Sequence, residues 1–341
     1  MTHFDVGLRD IPLKEVAAEA QRYEAIGFDT VWSFETARDP FLPLTQVAMA
    51  TERLRFGTNI AVAFARSPFV TAQLAWELQA MSGGRMVLGL GTQVRAHVER
   101  RFSMQFDHPA ARVTDYIDTL RAVWRTFQDG DKPSHRGPFY QFTAINDFFN
   151  PGPIEHPEIP VYLAGVNERM CQAAGEVADG FQVHPMHSPG YINDVVRPSL
   201  REGAAKRGRD ADAMILHIPV FAISGETEAE RMEGEMSVRR QVAFYASTPS
   251  YRRFLEYHDC MGVAKELSAL MRRGDVQSMP RLVPDALMAA VAVHGNGAAL
   301  GRALKARCRA AGVQSGSLYR SIMPDTPAGE WQGVVNAFKA A

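Results

Sequence analysis

The feature that most constrains the fold of this chain is an alternation of short apolar runs with longer segments of helical periodicity. Eight such pairs follow one another along the 341 residues. Each apolar run has the length of a strand, and each longer segment repeats its apolar residues three or four positions apart, as one face of a helix does. Alternating strands and helices predict a parallel sheet that is covered by helices.

The predicted strands are apolar stretches that end in glycine, proline or polar residues. They cover Phe4–Leu8, Phe28–Trp32, Leu54–Ile60, Arg85–Leu90, Ile159–Ala164, Asp179–His184, Ile215–Ile223 and Ser317–Ser321. Eight units of this kind favour an α/β fold of the (β/α)8 TIM-barrel type with insertions. The alternative is an open doubly wound sheet, which is disfavoured because neither half carries a complete nucleotide fingerprint. We expect a single domain over residues 1–341.

Two regions interrupt the alternation. Glycine, proline and aromatic residues cluster over about residues 129–158, which predicts an inserted hairpin or loop on the barrel surface. A mostly helical region covers about residues 251–311. The aromatic side chains of the first insertion either cover an apolar substrate pocket or pack within the loop, and both interpretations stay open. These side chains are Phe139, Tyr140, Phe142, Phe148 and Phe149.

The charge balance and the cysteines exclude several classes of function. A formal net charge of −1 leaves no basic surface for nucleic acid or an anionic membrane. No uninterrupted apolar stretch reaches transmembrane length, and no basic segment followed by an apolar run opens the chain. The cysteines, Cys171, Cys260 and Cys308, are scattered and odd in number, so neither a disulfide nor a zinc framework is predicted. We expect a cytoplasmic protein.

In a barrel of this type the active site lies at the carboxyl ends of the strands. The fourth predicted strand ends in Gly89 and Gly91, and Thr92 and Gln93 follow. Glycines there allow a ligand to lie flat against the backbone, although a tight turn without a ligand explains them as well. The pattern is not a dinucleotide fingerprint, because the third glycine is absent and no helix start is evident directly after Gly91.

Several short segments share an order and spacing with a known family. They are Gly27–Trp32 with Glu35, Asp39–Phe41, Arg85–Thr92, Arg100–Phe102, Gly137–Tyr140, Pro160–Ala164 and Ala174–Phe181. In this order they resemble the luciferase-like monooxygenase superfamily, within the branch that uses the deazaflavin coenzyme F420. The resemblance covers about residues 1–220, and the last third of the chain matches only loosely.

The resemblance implies a cofactor site at the ends of the middle strands. It implies a non-prolyl cis peptide bond between Asn59 and Ile60, which would back the central ring of the cofactor. Further contacts are implied for Val62, Gly91, Thr92, Gln93 and Gly165. His97 would stand near the ribityl or phosphate portion, although a surface histidine at a helix start is the alternative.

The loop after the sixth strand is the candidate phosphate site. Pro185, Met186 and Ser188 lie on it, and main-chain N–H groups with the Ser188 hydroxyl would bind the anion near a helix N-terminus. His184 and His187 lie on the same loop, but no carboxylate stands at ligand spacing. We therefore expect no metal site.

Glu35 and Thr36 are the candidate catalytic residues. In related enzymes an acidic residue at the end of the second strand is followed by a histidine that transfers protons, whereas this chain carries Thr36. Threonine can orient a carbonyl group but is no general base of comparable strength. Glu35 either acts near the ring or is a buried structural acid. Val94 stands where the sugar-phosphate dehydrogenase of this group has a carboxylate, so that activity is not expected.

The predicted function is hydride transfer between coenzyme F420 and a small organic substrate that is partly apolar. One alternative is an FMN-dependent two-component monooxygenase supplied by a flavin reductase. A second alternative is a flavin-binding barrel without turnover. The resemblance also implies a homodimer. The substrate, the direction of the reaction and the pathway do not follow from the sequence.

Overall fold

The structure, a computed structural model, describes residues 2–319 and 328–341. Eight parallel strands close into a barrel, which confirms the predicted (β/α)8 fold. β3 and β4 together occupy one barrel position, β6 and β7 form a separate hairpin, and β11 extends the edge of β10. The strands are β1 (His3–Gly7), β2 (Thr30–Ser33), β3 (Arg55–Thr58), β4 (Ala61–Val62), β5 (Met86–Gly91), β6 (His135–Arg136), β7 (Gln141–Phe142), β8 (Val161–Gly165), β9 (Gly180–Val183), β10 (Ile215–Ile223), β11 (Ala292–His294) and β12 (Ser315–Leu318).

The helices surround the barrel and cover its outer face. A π-helical turn, Ile192–Val196, joins α7 to α8. The helices are α1 (Leu13–Ile26), α2 (Leu42–Ala50), α3 (Pro68–Ser82), α4 (Arg95–Arg101), α5 (Pro109–Asp129), α6 (Glu168–Val177), α7 (Pro189–Tyr191), α8 (Arg197–Ala205), α9 (Glu228–Ala246), α10 (Arg252–Tyr257), α11 (Met261–Arg273), α12 (Asp285–Val291), α13 (Gly297–Ala310) and α14 (Ala328–Ala340).

Local sequence signals explain where several of these helices begin and end. α3 begins at Pro68, and the Ser67 hydroxyl before it accepts a hydrogen bond from the Val70 amide, as an N-cap should. α1 ends at Gly27, whose φ of 95° is one that residues with a side chain rarely adopt. These signals were readable in the sequence, and the corresponding boundaries lie within two residues of the predicted ones.

The eighth strand, β11 and α4 are among the elements that differ from the sequence prediction. The eighth barrel strand is Ser315–Leu318, which starts two residues before the predicted Ser317, and residues 320 and 321 of that prediction lie outside the described residues. β11 lies inside the region expected to be helical, because a strand of three residues is too short to show a period. α4 follows Gly91 after three residues and begins without a side-chain cap, so the usual helix signal was missing.

The inserted segment forms the antiparallel hairpin β6–β7 outside the barrel. The Asp115 carboxylate on α5 accepts hydrogen bonds from the amides of Phe139 and Tyr140, at 2.7 and 2.8 Å. Phe142 packs against Phe69 of α3. The five aromatic residues of this segment do not line the central cavity described below, which disfavours a pocket cover, and Phe139, Tyr140 and Phe142 pack within the protein. Phe148 and Phe149 lie exposed and in contact with each other.

Apolar packing occurs on both sides of the barrel wall. The larger cluster lies between the strands and the surrounding helices, whereas a smaller one fills the barrel interior with Trp32, Val87 and Tyr162. This interior cluster closes the lower half of the barrel and leaves the carboxyl ends of the strands open for a site. Among the described residues, no helix combines the length and the apolar character needed to cross a lipid bilayer.

Candidate active site

A cavity of about 610 Å³ opens at the carboxyl ends of the barrel strands. This volume is in the range of small-molecule and cofactor sites. Residues from all eight barrel positions or the loops after them line it. Its lining residues are Gly7, Trp32, Phe34, Glu35, Thr36, Asn59, Ile60, Gln93, Ala164, Gly165, Val166, Gln182, Val183, His184, Pro185, Pro219, Gln241, Ser317, Leu318 and Tyr319.

A bulge in the third barrel strand forms one wall of the cavity. The Asn59–Ile60 peptide bond is cis, as the family resemblance implied. β3 pairs with β5 up to Gly57 opposite Val87, and pairing resumes at Ala61 opposite Leu90. Between these two pairs the third barrel strand contains one more residue than β5. The extra residue forms the bulge, which turns Asn59 and Ile60 toward the cavity.

The glycines of β5 are needed for packing within the protein. A Cβ atom at Gly89 would lie 1.8 Å from the carbonyl oxygen of Thr58 and 2.9 Å from the Gln182 amide. A Cβ atom at Gly91 would lie 2.7 Å from the side chain of Ile60. The surface that lies flat against these two glycines is thus β3 and Ile60, and Ile60 stands between Gly91 and the cavity.

Glu35 is held tightly by neighbouring donors. Its carboxylate accepts two hydrogen bonds from the Arg66 guanidinium, at 2.9 and 3.0 Å, and one from the Val62 amide at 2.6 Å. Arg66 also donates to Asp39 at 2.7 Å. Only 6% of the Glu35 side chain is exposed. Of the two interpretations offered by the sequence, the geometry favours the structural acid, which fixes β4 directly after the bulge.

Seven of the thirteen predicted site residues line the cavity. Besides Glu35 they are Thr36, Asn59, Ile60, Gln93, Gly165 and Pro185. Thr36 is exposed at the rim. Gln93 has a positive φ of 56°, which turns the chain between β5 and α4.

The other predicted residues lie beside the cavity or away from it. Val62 and Gly91 are buried behind the bulge, and Thr92 is half-buried next to Gln93. His97 is exposed on α4, where its Nδ1 lies 3.2 Å from Oε1 of Gln93. Met186 and Ser188 are buried in the loop after β9.

The predicted phosphate loop uses its donors within the protein. The Met186 amide donates to Nδ1 of His184 at 3.2 Å, and the His187 amide donates to the Pro185 carbonyl. The Ser188 hydroxyl lies 2.9 Å from Nε2 of His258 and accepts the Tyr191 amide hydrogen. Of the three residues predicted to bind the phosphate, only Pro185 lines the cavity, so the arrangement does not favour an anion site at Met186 or Ser188.

An aromatic cluster that was not predicted from the sequence packs behind two cavity residues, His184 and Tyr319. Since Nδ1 of His184 accepts the Met186 amide hydrogen, Nε2 carries the ring proton and donates to the Tyr251 hydroxyl at 2.9 Å. The hydroxyl groups of Tyr245 and Tyr319 are 3.0 Å apart. Burial lowers the pKa of His184 to about 3, with a smaller contribution from the charge of His187. His184 is therefore neutral at neutral pH.

One lining residue carries a polar atom without a partner. Gln182 on β9 is 2% exposed, and its amide nitrogen donates to the carbonyl oxygen of Thr58 at 3.3 Å. Its Oε1 atom is buried and accepts no hydrogen bond from the described residues. A buried acceptor without a donor is costly, so this atom is suited to a donor group of a bound molecule.

Several lining residues come from the late strands and were not predicted from the sequence. They share a signal that was available, namely polar residues within runs otherwise buried on both faces. Gln182, His184 and Ser317 lie on or directly after such strands. Within the described ranges, no group of three histidine, cysteine or carboxylate side chains has the arrangement of a metal site.

The sequence of this chain is similar to those of known proteins that belong to one family. The family model for luciferase-like monooxygenases matches residues 1–315. An uncharacterized protein of Mycobacterium tuberculosis is 43% identical over 296 residues, which cover 87% of each chain. The 5,10-methylenetetrahydromethanopterin reductase of Methanolobus tindarius is 27% identical over 289 residues, covering 83% of each.

A solved structure shares the fold. The coenzyme F420-dependent tetrahydromethanopterin reductase of Methanopyrus kandleri superposes with a TM-score of 0.77, at 20% identity and with coverage of 98% of this chain and 97% of the other. The match of the family model over most of the chain, together with the barrel and its bulge, gives the assignment. The chain belongs to the luciferase-like monooxygenase family, whose members are oxidoreductases and monooxygenases.

Proposed function

We propose that this protein is an oxidoreductase that transfers a hydride between coenzyme F420 and a small organic substrate. The observation that carries the proposal is the 610 Å³ cavity walled by the Asn59–Ile60 bulge at the carboxyl ends of the strands. The 27% identity to a methylenetetrahydromethanopterin reductase supports the choice of a reductase. The missing histidine at Thr36 supports chemistry in which the cofactor performs the difficult step.

The lining residues fit a flat tricyclic ring. Ile60 and Gln93 would contact one face of the ring, and Gly165 with Pro185 would border its edge. The free acceptor Oε1 of Gln182 would take a hydrogen bond from a ring N–H group. When bound, the deazaflavin supplies two-electron hydride transfer and reacts poorly with oxygen. The protein contributes binding, orientation and the exclusion of water.

Glu35, Arg66 and Thr36 would act by positioning. The Glu35–Arg66 pair fixes Val62 directly after the bulge and so fixes the wall that Ile60 presents. Thr36 at the rim would hold a carbonyl or hydroxyl group of the substrate by a hydrogen bond. The partly apolar lining suits a substrate with an apolar portion.

The alternative cofactor is FMN, which the monooxygenase description of the family favours. In that case the protein would be the oxygenating component of a two-component system and would receive reduced flavin from a reductase. A flavin-binding barrel without turnover is the remaining alternative. The tail of F420 is longer and more anionic than that of FMN, so the binding preference separates the first two.

A fluorescence titration tests the proposal. The purified protein is titrated with F420 and, separately, with FMN. We expect saturable micromolar binding of F420 and weaker binding of FMN. Gly91→Val should abolish F420 binding because its side chain would push Ile60 into the ring position, whereas the melting temperature indicates whether the barrel remains folded. Tighter binding of FMN than of F420 would favour the monooxygenase instead. Binding of neither coenzyme would indicate a barrel with another function.

We also propose that two copies of the chain pair through α2 and α3. Leu42 and Met49 on α2 and Val70 and Met81 on α3 are apolar side chains exposed by 41 to 72%. Exposed apolar side chains gathered on adjacent helices mark interaction surfaces. The cytoplasmic location expected from the sequence stays a prediction.

A further inference from the structure

Four polar side chains lie together in the barrel interior beneath the cavity. Asp5 comes from β1, His217 from β10, and Ser315 and Ser317 from β12. Each is at most 6% exposed. Burying polar groups is costly unless they are paired, so a barrel packed only with apolar residues would be simpler. The cluster therefore calls for an explanation beyond packing.

The hydrogen bonds fix the proton positions in this cluster. The Ser315 hydroxyl donates to Oδ2 of Asp5 at 2.5 Å, so its oxygen accepts the hydrogen on Nδ1 of His217 at 2.8 Å. Nδ1 of His217 is also 3.3 Å from the same Asp5 oxygen. Nε2 of the neutral ring is then the unprotonated nitrogen, and it accepts the Ser317 hydroxyl at 3.2 Å.

The carboxylate of Asp5 is kept ionised. Burial alone would raise the pKa of this carboxyl. Hydrogen bonds from His217, Ser315 and Trp32 outweigh burial and hold the pKa below its ordinary value. The buried His217 ring therefore lies against an ionised carboxylate.

The cluster ends at the cavity. Ser317 lines the cavity wall together with Trp32 and Gln182, whereas His217 lies fully buried behind it. The Ser317 hydroxyl thus connects a buried imidazole to the space where a substrate would lie. Thr36 occupies the position where related enzymes carry a proton-transferring histidine. Another group must therefore exchange the proton with the substrate oxygen.

We propose that Ser317, His217 and Asp5 form a proton relay for the substrate oxygen, which rests on the proposed hydride transfer. In oxidation of an alcohol, the substrate C–H bond breaks and its hydride would pass to the oxidised deazaflavin. The substrate O–H proton passes to the Ser317 oxygen, and the Ser317 proton passes to the unprotonated Nε2 of His217, so that the C–O–H group becomes C=O and the ring becomes an imidazolium, which later releases its proton to solvent. Reduction runs through the same bonds in reverse, from the imidazolium form. Asp5 and Ser315 hold the ring in place.

Other titratable groups act on the pair across the barrel. They are Tyr162 on β8, whose pKa responds to Asp5, Cys308 on α13, which also responds to Asp5, and His187 after β9, which responds to His217. Tyr162 and Cys308 are neutral at neutral pH because burial raises the pKa of each to about 12, and His187 is neutral because burial lowers its pKa to about 4. Asp5 is thus the ionised group that lies against His217.

Nitrogen-15 NMR of a histidine-labelled chain tests the relay without turnover. The His217 signals are assigned by their loss in His217→Asn. In the coenzyme-free chain we expect a protonated Nδ1 and an unprotonated Nε2. Ser317→Ala should shift the Nε2 signal, and Ser317→Thr, which keeps the hydroxyl, should restore it. An Nε2 signal that ignores Ser317→Ala, or a proton on Nε2 of the neutral ring, overturns the proposal.

Single-turnover oxidation of 2-propanol by oxidised F420, followed by the loss of coenzyme fluorescence, gives the second readout. Ser317→Ala should slow hydride transfer by about 100-fold, the lower range for general acid–base catalysis. Ser317→Thr should recover most of the rate, and the F420 dissociation constant should stay within about twofold in both variants. Equal rates in the three chains overturn the relay. Failure of the unmodified chain to bind F420 overturns the proposed function, while the coenzyme-free NMR signal still tests the relay.

Discussion

Replacement of Glu35 by glutamine should destabilise the protein and weaken coenzyme binding. The carboxylate accepts three hydrogen bonds, two from Arg66 and one from the Val62 amide, and is nearly inaccessible to water. A glutamine amide brings one oxygen and an NH₂ group that faces these donors. Removing one partner from a buried ion pair costs about 3–5 kcal/mol, and Arg66 keeps its bond to Asp39, so we expect about 3 kcal/mol.

The melting temperature gives the assay. An unfolding entropy of about 2.1 cal/mol/K per residue amounts to about 0.7 kcal/mol/K for this chain, so the loss corresponds to about 4 °C. The matched control is Glu99→Gln on α4, where the partner Arg95 is 62% exposed and such pairs contribute about 0–1 kcal/mol. A melting temperature for Glu35→Gln within about 1 °C of the unmodified protein would refute the account of this ion pair. Weaker F420 binding in the same variant would link the pair to the bulge.

Three further predictions address the rim, the buried loop and the assembly. Thr36→Ala should slow turnover more than it weakens F420 binding, because the hydroxyl orients the substrate; equal large losses would move Thr36 to the coenzyme site. Burial lowers the pKa of His187 to about 4 in the folded protein, whereas the ordinary pKa of about 6.5 applies to the unfolded chain. Between these two values the unfolded chain binds a proton that the folded protein does not, so the free energy of unfolding decreases by about 1.4 kcal/mol for each pH unit by which the pH falls. Urea unfolding at pH 7 and 4.5 should show this loss in the unmodified chain and a smaller one in His187→Asn, whereas equal losses would exclude His187 as its source. Leu42→Glu should reduce the mass measured by light scattering from a dimer to the 37.7 kDa chain, and an unmodified protein that is already monomeric would contradict the pairing.

The fold could be predicted because it depends on local sequence signals that keep their meaning whatever the tertiary structure. Ile215–Ile223 was predicted to the residue because a continuous apolar run between polar segments has one stable place in a barrel. Ser67 and Pro68 marked a helix start, and Gly27 marked a helix end, by the geometry of their own backbones. Such signals depend on neighbouring residues, so they need no knowledge of the tertiary structure.

The site depended on pairings that the sequence does not reveal. The cis bond at Asn59–Ile60 was expected from the family resemblance, since residue types alone do not favour it. The role of Gly91 was read as space for a ligand, whereas Ile60 fills that space. Ser188 was expected to bind an anion, but His258, which is 70 positions further along, lies at its hydroxyl.

The polar cluster inside the barrel was missed for the same reason. Asp5 and Ser315 are hydrogen-bonded although 310 positions separate them. The available signal was weaker but present, because His217 and Ser317 stand within runs that are otherwise buried. A polar residue in a fully buried strand is rarely there for packing, and it indicates a network or a site.

The measurement that tests the central claim most directly is a crystal structure of the protein with bound F420. The account predicts that the tricyclic ring lies in the 610 Å³ cavity against the Asn59–Ile60 peptide, with a ring donor at Oε1 of Gln182 and the reacting face open toward Ser317. A coenzyme bound outside the carboxyl ends of the strands, or with its ring away from the bulge, would contradict the account.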